Sequence, residues 1–372
     1  MSKERHFFPG NNTPKGFYSY YSYILTQKEA SRIFCIKGGP GVGKSSFMKA
    51  IAKDMLKTGE DIDYLHCSSD PISLDGIILK NRKIAFIDAT SPHVVEPINP
   101  GAVDNIIHLG EYWDEESIRK NKESVMEENM KCKKCFLKAY NYLGAAEKLY
   151  DNIEEIYINA IKNAKLYKIA AEIVNKELSH KEITLQPGAV KKYFASAVTP
   201  EGIVNYLDTL VSDISKIYVL KAPIGARNDG ILNIISEGAR YRGFSVEEYY
   251  CSLKPTEKIE HLIIKELGIA IISENQYHGL KHNFYNNIGI KENSNIEIIT
   301  IDCIDNYDMD YLKENEAFLL VNKEYMEKMI YLAVSSLSDA KARHQILEQY
   351  YIPNMDFKKI DVLRQKIVTE II

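Results

Sequence analysis

Long apolar runs and an excess of positive charge are both missing from this sequence. Its 372 residues contain no stretch of eighteen apolar residues, which argues against a membrane-spanning helix. The formal net charge of −4 offers no basic surface for nucleic acid or for an anionic membrane. The opening residues, M-S-K-E-R-H-F-F-P-G, lack the apolar core of a signal peptide. We therefore expect a soluble, cytoplasmic protein that binds neither nucleic acid nor membrane.

Cysteine is also scarce, since six cysteines scattered over the chain do not make a disulfide framework. Cys132 and Cys135 form C-K-K-C within a charged, helical stretch, and no second ligand pair lies near them in the sequence. We interpret them as two small apolar positions on one helix face rather than as a zinc or redox site. With 45% apolar and 26% charged residues, the chain has the composition of a globular protein of two or three domains.

The most informative stretch runs from Ile33 to Met48 and reads I-F-C-I-K-G-G-P-G-V-G-K-S-S-F-M. An apolar run precedes G-x-x-x-x-G-K-S, which predicts a strand, a glycine-rich turn and a helix. Glycines at these positions allow backbone N–H groups to converge on phosphate oxygens at a helix N-terminus. The predicted phosphate-binding residues are Gly38, Gly39, Pro40, Gly41, Val42, Gly43, Lys44, Ser45 and Ser46.

A magnesium site is predicted beside this loop. Lys44 supplies a charge to the β and γ phosphates, and Ser45 can place its hydroxyl on Mg²⁺. The segment K-I-A-F-I-D-A-T ends an apolar strand at Asp88, whose carboxylate can hold the same ion. The alternative for Asp88 is a cap of the next turn. No glutamate follows Asp88, so the water-activating residue of many ATPases has no obvious match.

Further polar residues follow the predicted strands, at the edge where open α/β sheets bind ligands. Asp70 is the best candidate for a catalytic base, and Asp75, read as the start of a helical turn, lies behind it. Each of these residues could instead cap a helix or face solvent. The predicted catalytic set is Lys44, Asp70, Asp75 and His93, and the accompanying polar residues are His66, Ser68, Ser69, Thr90 and Ser91.

An internal repeat spans the chain. Phe7-Phe8 matches Tyr193-Phe194 at an offset of 186, and the strand before the glycine loop matches residues 217–221 at an offset of 184. From Asp114 to Leu178 the offset is 194. The sequence thus predicts an α/β fold of two tandem lobes with mostly parallel sheets, each followed by a long helical pair. The expected domains are residues 1–114, 115–180, 189–307 and 308–372.

Within these domains, the pattern predicts strands over residues 33–37, 62–67, 84–87 and 105–109 and a helix from Lys44 to Leu56. Two long helices are expected over residues 115–150 and 153–178, with breaks at Gly144 or at Asp151-Asn152. In the second copy, Lys44 is replaced by Asn228, Ser45 by Asp229 and Asp88 by Ser273. We therefore expect the second lobe to have lost its phosphate site.

The loop G-G-P-G-V-G-K-S-S together with Asp88 resembles those of the P-loop NTPase superfamily. The whole chain resembles an uncharacterised bacterial family of tandem P-loop ATPases, through F-F-x-G-x-x-T-P-x-G at Phe7, H-C-S-S-D-P-x-S-L-D-G at His66, S-P-H-V-V at Ser91 and L-G-E-Y-W-D at Leu109. The resemblance implies ATP as the bound nucleotide and its hydrolysis as the reaction.

Three functions fit these residues: a Mg-dependent ATPase, a nucleotide-dependent kinase of a small-molecule acceptor, and an ATP-binding switch that acts on a protein partner. The polar residues from His66 to Asp75 favour chemistry, whereas the missing Asp-Glu pair favours a switch. If the two lobes face each other, Arg227, Arg240 or Arg242 could reach the nucleotide; local pairing of these arginines is the simpler expectation.

Overall fold

A computed structural model of the chain describes residues 2–91, 95–281, 284 and 296–372. It is an α/β structure with two six-stranded sheets. The first half contains β1 (Glu4–Phe7), β2 (Gly10–Thr13), β3 (Gly16–Ser19), β4 (Arg32–Lys37), α1 (Lys44–Leu56), β5 (Ile62–Cys67), β6 (Asp70–Leu79), β7 (Ile84–Asp88), β8 (Asp104–His108), α2 (Glu115–Arg119), α3 (Lys122–Ala160) and α4 (Asn163–Leu178).

The second half repeats this order with one additional short helix. It contains β9 (Val190–Tyr193), β10 (Ser196–Thr199), β11 (Gly202–Asn205), α5 (Leu207–Leu210), β12 (Lys216–Lys221), α6 (Asn228–Arg240), β13 (Val246–Tyr250), β14 (Ile259–Ile264), β15 (Ile269–Glu274), β16 (Glu297–Asp302), α7 (Met309–Glu314), α8 (Glu316–Tyr351) and α9 (Phe357–Ile371). We call β1–β8 with α1 the first lobe and β9–β16 with α5 and α6 the second lobe.

The two sheets have the same topology. Strand order is β1-β5-β6-β7-β4-β8 in the first lobe and β9-β13-β14-β15-β12-β16 in the second. In each sheet one strand, β6 or β14, runs antiparallel to both neighbours, and the remaining pairs are parallel. The sequence repeat is therefore a structural repeat, and the expectation of two α/β lobes with mostly parallel sheets is confirmed at this level.

The strand–loop–helix unit around the glycines forms where the sequence predicts it. α1 spans Lys44–Leu56 and buries Phe47, Met48, Ile51 and Met55 against the sheet. These positions recur at three- and four-residue spacing, so one helix face is apolar. Gly59, with φ of +85°, follows the end of the helix as expected.

The predicted helical turn at Asp75 is wrong. Asp75 does not begin a helical turn; it lies in β6, which pairs antiparallel with β5 and β7. The turn-like D-P and S-L-D letters suggested a cap, but β6 is buried continuously from Leu74 to Leu79 between two strands. Tertiary burial therefore outweighs the local signal.

The long helix of the first half also breaks later than predicted. α3 continues through Gly144 and Asp151 to Ala160, and the chain becomes extended at Ile161. Asp151 stays helical because its carboxylate binds Lys148 and Lys254, while Ile153 and Ile156 are buried in the same helix. The break coincides with a bridge between Ile161 and Tyr307.

α3 and α8 form an antiparallel pair that joins the two lobes. Glu128, near the start of α3, contacts Arg343 near the end of α8, whereas Asn152 near the end of α3 binds Asn322 near the start of α8. With 39 and 36 residues, these helices are each about 55 Å long. Each one thus carries the chain away from its own lobe.

As a result, the helical pairs are exchanged between the lobes. α9, from the second half, packs on the first lobe, where Ile360, Ile367 and Val368 share a core with Phe47 and Ile51 of α1. By the same relation α4, from the first half, packs on the second lobe against α6, through the buried residues Leu166, Ala170, Ile173 and Leu178. Each sheet is therefore completed by helices from the other copy.

On the face away from these helices, the two sheets pack against each other in one core. This contact explains why the strands are apolar on both sides. Ile33 and Leu65 of the first lobe share this core with Ile217 and Ile263 of the second. At its edge, Phe8 and Phe194 exchange backbone hydrogen bonds of 2.9 and 3.0 Å. In the described part of the chain, no helix is long and apolar enough to span a bilayer.

Candidate active site

The glycine loop, residues 38–43, connects β4 to α1 and depends on left-handed backbone conformations. Gly41 has φ of +69°, and Gly43, at the N-cap of α1, has φ of +86°. Both values are strained for residues with a side chain. The loop therefore turns directly onto the N-terminus of α1, where unpaired N–H groups favour an anion.

Lys44 and Asp88 lie together beside this loop. The Lys44 ammonium donates to the carbonyl oxygens of Gly38 (3.0 Å) and Gly39 (2.9 Å), and its Nζ is 3.6 Å from Asp88 Oδ2. Both side chains are 13% exposed. Asp88 reaches this position because it ends β7, which pairs with β4 so that Asp88 lies beside Ile36. The side chains of Lys44 and Asp88 are thus held together at the carboxyl ends of β4 and β7.

Hydrogen bonds of two hydroxyl groups, from Thr90 and Ser45, connect the glycine loop and the start of α1 to neighbouring strands. Thr90 donates through its Oγ1 to the Gly38 carbonyl at 3.1 Å, and its N–H donates to Asp88 Oδ1 at 2.9 Å. Ser45 Oγ accepts from the Leu74 N–H at 3.0 Å, which ties the start of α1 to β6. Ser46 is exposed on α1. Ser45 and Asp88 are oxygen donors on adjacent elements, the ligand chemistry that Mg²⁺ requires.

The remaining predicted catalytic residues divide into three environments. Asp70 Oδ1 is 2.8 Å from Lys341 Nζ, and Asp70 Oδ2 accepts from Ser73 at 2.6 Å. Asp75 is buried and accepts from the Tyr21 hydroxyl at 2.8 Å. His93 lies outside the described residues. The structure therefore places Asp70 in contact with an element from the other half.

His66, a further candidate, is fully engaged in hydrogen bonds. Its Nδ1 donates to the Pro71 carbonyl at 2.7 Å, and its Nε2 is 2.8 Å from His6 Nδ1. Burial lowers the pKa of His66 to about 4, so its imidazole is neutral at physiological pH. These contacts assign His66 to the packing of β5 rather than to an open cleft.

The glycine loop is covered by the end of α8 and the start of α9. A Cβ added at Gly39 would meet the Tyr351 ring at 3.0 Å, and one at Gly41 would meet Ile352 at 2.9 Å. At Gly43 it would lie 3.2 Å from the Phe357 ring. The glycines are thus required for the close approach of the exchanged helical pair as well as for backbone conformation.

α8 also brings titratable groups to the site that sequence reasoning did not identify. Lys341 pairs with Asp70, and His344 lies one turn further along, within electrostatic range of Lys44, Asp70 and Asp88. The His344 side chain is 51% exposed, but burial lowers its pKa although Glu348, 3.6 Å away, and the two aspartates would raise it. The sequence K-A-R-H carries no motif, and His344 is 300 residues from Lys44.

Asp70 stays ionised in this arrangement. Its partial burial alone would raise the pKa, but Lys341 and Ser73 outweigh that effect and hold the pKa of Asp70 below its ordinary value. A carboxylate paired with a lysine is a weak base. The geometry therefore favours Asp70 as a group that positions Lys341. It leaves two further bases on α8: Glu348, whose Cα would lie 3.3 Å from a Cβ added at Gly41, and His344, whose Nδ1 is 3.6 Å from Glu348 Oε1.

The corresponding region of the second lobe is filled by local contacts. Asn228, in place of Lys44, donates to the Leu220 carbonyl at 3.1 Å, and the Lys258 ammonium donates to the Ala226 carbonyl at 2.8 Å. Arg227 pairs with Asp229 at 3.1 Å. Arg240 and Arg242 bind backbone carbonyl oxygens at Gly188, Lys181 and Gly238. The three arginines are thus held by residues of the second half and of the connection that precedes β9, and local pairing was the simpler expectation.

Comparisons with known proteins identify no relative of this chain. No protein-family model matches the sequence, no curated protein is similar to it, and no solved structure matches the fold.

Proposed function

We propose that the first lobe binds Mg-ATP at the glycine loop and hydrolyses it, with residues of α8 completing the site. The observation that carries this proposal is the 3.6 Å pair of Lys44 and Asp88 beside a glycine loop that opens a helix. Loop N–H groups would bind the phosphates, and Lys44 would exchange its two carbonyl partners for the more strongly charged phosphate oxygens.

Ser45 and Asp88 would hold Mg²⁺, which would neutralise charge on the β and γ phosphates when bound. Both side chains already accept hydrogen bonds, from Leu74 and Thr90, and these contacts fix the direction of their oxygen atoms. ATP affinity should accordingly fall when magnesium is removed with a chelator, which a fluorescence titration with and without the ion would measure.

In this proposal His344 orients the attacking water, because no glutamate follows Asp88 to do so. Its side chain is half-exposed, its Nδ1 lies 3.6 Å from Glu348 Oε1, and burial lowers its pKa, which favours the neutral imidazole. A neutral imidazole can accept a proton from water as the γ-phosphoryl group is attacked. Lys341, fixed by Asp70 at 2.8 Å, adds a positive charge to the same region.

We expect His344→Asn to lower the turnover number about 100-fold while ATP affinity changes less than about threefold, because the imidazole acts on water rather than on bound phosphates. Single-turnover hydrolysis and equilibrium binding measure the two quantities separately. Gln345→Ala, an exposed neighbour on α8, is the matched control and should leave both unchanged. Equal turnover in the His344 and Gln345 variants would remove His344 from the mechanism.

Titration calorimetry should give one nucleotide per chain. The second lobe has Asn228, Asp229 and Ser273 where the first has Lys44, Ser45 and Asp88, so it lacks both the cation and the metal ligands. The Asp229 carboxylate would also repel a polyphosphate. Two sites of similar affinity would show that this reading of the second lobe is wrong.

A nucleotide-dependent switch is the second candidate, and one observation favours it. α8 covers the glycine loop at one end and binds α3 beside the second lobe at the other. A nucleotide that displaced Tyr351 or Ile352 from the loop would shift a rigid helix that reaches both lobes. Turnover below about one per hour, with ATP-dependent protection of α8 from hydrogen exchange, would favour the switch over the ATPase.

A further inference from the structure

A buried group of three metal-binding side chains lies in the second lobe, away from the glycine loop. Cys251 follows β13, Glu260 lies in β14, and His278 follows β15. β14 pairs with both of the other strands, so the three residues meet at one place on the sheet. One ligand atom from each lies within 4.8 Å of the other two. All three residues are less than 9% exposed.

The hydrogen bonds of His278 leave its Nε2 available to a ligand. Nδ1 is 3.1 Å from Ser196 Oγ, and the backbone N–H donates to Asn275 Oδ1 at 3.1 Å. Nε2 is 3.8 Å from Glu260 Oε1, which is too long for a hydrogen bond. Ser196 therefore fixes the ring in the way that outer partners fix the histidines of metal sites.

The carboxyl group of Glu260 is buried, and the ammonium of the neighbouring lysine does not contact it. The Lys258 ammonium is directed instead to the Ala226 carbonyl at 2.8 Å and to Glu154 at 3.4 Å. Among the described residues, His278 is the only ion-pair partner of Glu260 within 4 Å. A carboxylate buried without a contacting cation is costly, so a cation bound beside it would be stabilising.

There is room for an ion and one further ligand. A cavity of about 30 Å³ is lined by Cys251, Glu260, His278, Tyr150 and Asn275, and about 10–15 Å³ is enough to hold one water molecule. Bond lengths of about 2.0–2.3 Å from zinc would place tetrahedral ligand atoms about 3.3–3.8 Å apart. The three ligand atoms, which lie within 4.8 Å of one another, would need to move about 1 Å closer together to bind the ion.

We propose that Cys251, Glu260 and His278 bind one Zn²⁺ ion. Thiolate, imidazole and carboxylate together select zinc over magnesium or calcium, which prefer oxygen ligands alone. The thiolate and the carboxylate balance the charge of the ion, and a water molecule in the cavity supplies the fourth ligand. The ion links the loop after β15 to β13 and β14, and the site is independent of nucleotide binding in the first lobe.

Zinc affinity and cobalt spectroscopy test this assignment on the full chain. After chelator treatment, competition with a chromophoric chelator should give one Zn²⁺ per chain with submicromolar affinity. The cobalt-loaded protein should show a thiolate-to-cobalt charge-transfer band. Cys251→Ser should remove that band and weaken zinc binding at least about 100-fold, and Glu260→Gln and His278→Ala should each weaken zinc binding at least about tenfold.

Cys303→Ser is the matched control, because Cys303 is a buried free cysteine of the same lobe that follows a different strand, β16. It should retain the band and the affinity. Zinc binding weaker than micromolar in the wild type, or a band that survives Cys251→Ser, would overturn the proposal. If Cys251→Ser does not fold, the wild-type cobalt spectrum together with Glu260→Gln, which preserves side-chain volume, decides the question.

Discussion

Lys44→Ala is expected to weaken Mg-ATP binding at least about 100-fold and to remove measurable hydrolysis. Lys44 is the cation nearest to the glycine loop, and its charge-assisted contacts with phosphate contribute more than a neutral hydrogen bond does. The variant should still fold, because the contacts of the Lys44 ammonium among the described residues are with two loop carbonyls and Asp88, not with the apolar core. Equilibrium titration with a fluorescent ATP analogue measures the loss.

Lys53→Ala is the appropriate control for this variant. Lys53 lies on α1, as Lys44 does, but it is exposed and more than two turns from the loop. The variant loses the same charge, so any effect of net charge on nucleotide binding will appear in both proteins. Nucleotide affinity that is equal in the two variants would contradict the proposed site, whereas loss in Lys44→Ala alone would support it.

Arg5→Met is expected to destabilise the folded chain by about 3–5 kcal/mol. Arg5 is 5% exposed and binds two buried carboxylates, Asp63 of its own lobe and Glu247 of the second lobe. Its Nε and Nη2 donate to Asp63 at 2.8 and 2.6 Å, and its Nη1 donates to Glu247 at 2.9 Å. Methionine fills a similar volume but leaves Asp63 and Glu247 without this partner. Denaturant unfolding of the two proteins measures the difference.

The effect of Arg5→Met should depend on pH in a defined direction. Burial alone would raise the pKa of Asp63 and Glu247, but Arg5, with smaller contributions from Lys80 and Lys265, outweighs it and holds both pKa values below their ordinary range. A carboxyl group whose pKa is lowered by folding stabilises the folded state at pH values above its unfolded pKa, which is near 4. That contribution is lost as the pH falls through its folded pKa. The difference in the free energy of unfolding between wild type and Arg5→Met should therefore be largest at neutral pH and decrease in acid.

Lys3→Ala controls for the loss of a basic residue near the same strand. The Lys3–Asp213 pair also joins the two lobes, at 3.0 Å, but the lysine side chain is 61% exposed. Exposed pairs contribute less than about 1 kcal/mol. A destabilisation by Arg5→Met no greater than that by Lys3→Ala would show that the buried charges are not essential to the joining of the lobes.

Helix α1 and strand β5 formed as predicted because their signals are local. α1 has an apolar face at helical spacing and begins directly after Gly43, and β5 is an apolar run between polar turns. β6 was missed since its first residues, D-P-I-S-L-D, carry turn chemistry, and only pairing with β5 and β7 makes them a strand. The break in α3 was misplaced for a similar reason: Asp151 is held in the helix by Lys254 of the second lobe.

By itself, the sequence determined the glycine loop, the strand-end position of Asp88, the duplication and the loss of Lys44 and Asp88 equivalents in the second copy, because each depends on residue types at short, fixed spacing. Only the tertiary structure decided which helical pair closes on which lobe. The antiparallel contact of α3 with α8 sends each pair across to the other lobe, and that contact depends on packing between segments about 200 residues apart. For the same reason, the sequence alone could not predict that His344 lies near the loop, or that Cys251, Glu260 and His278 line one cavity.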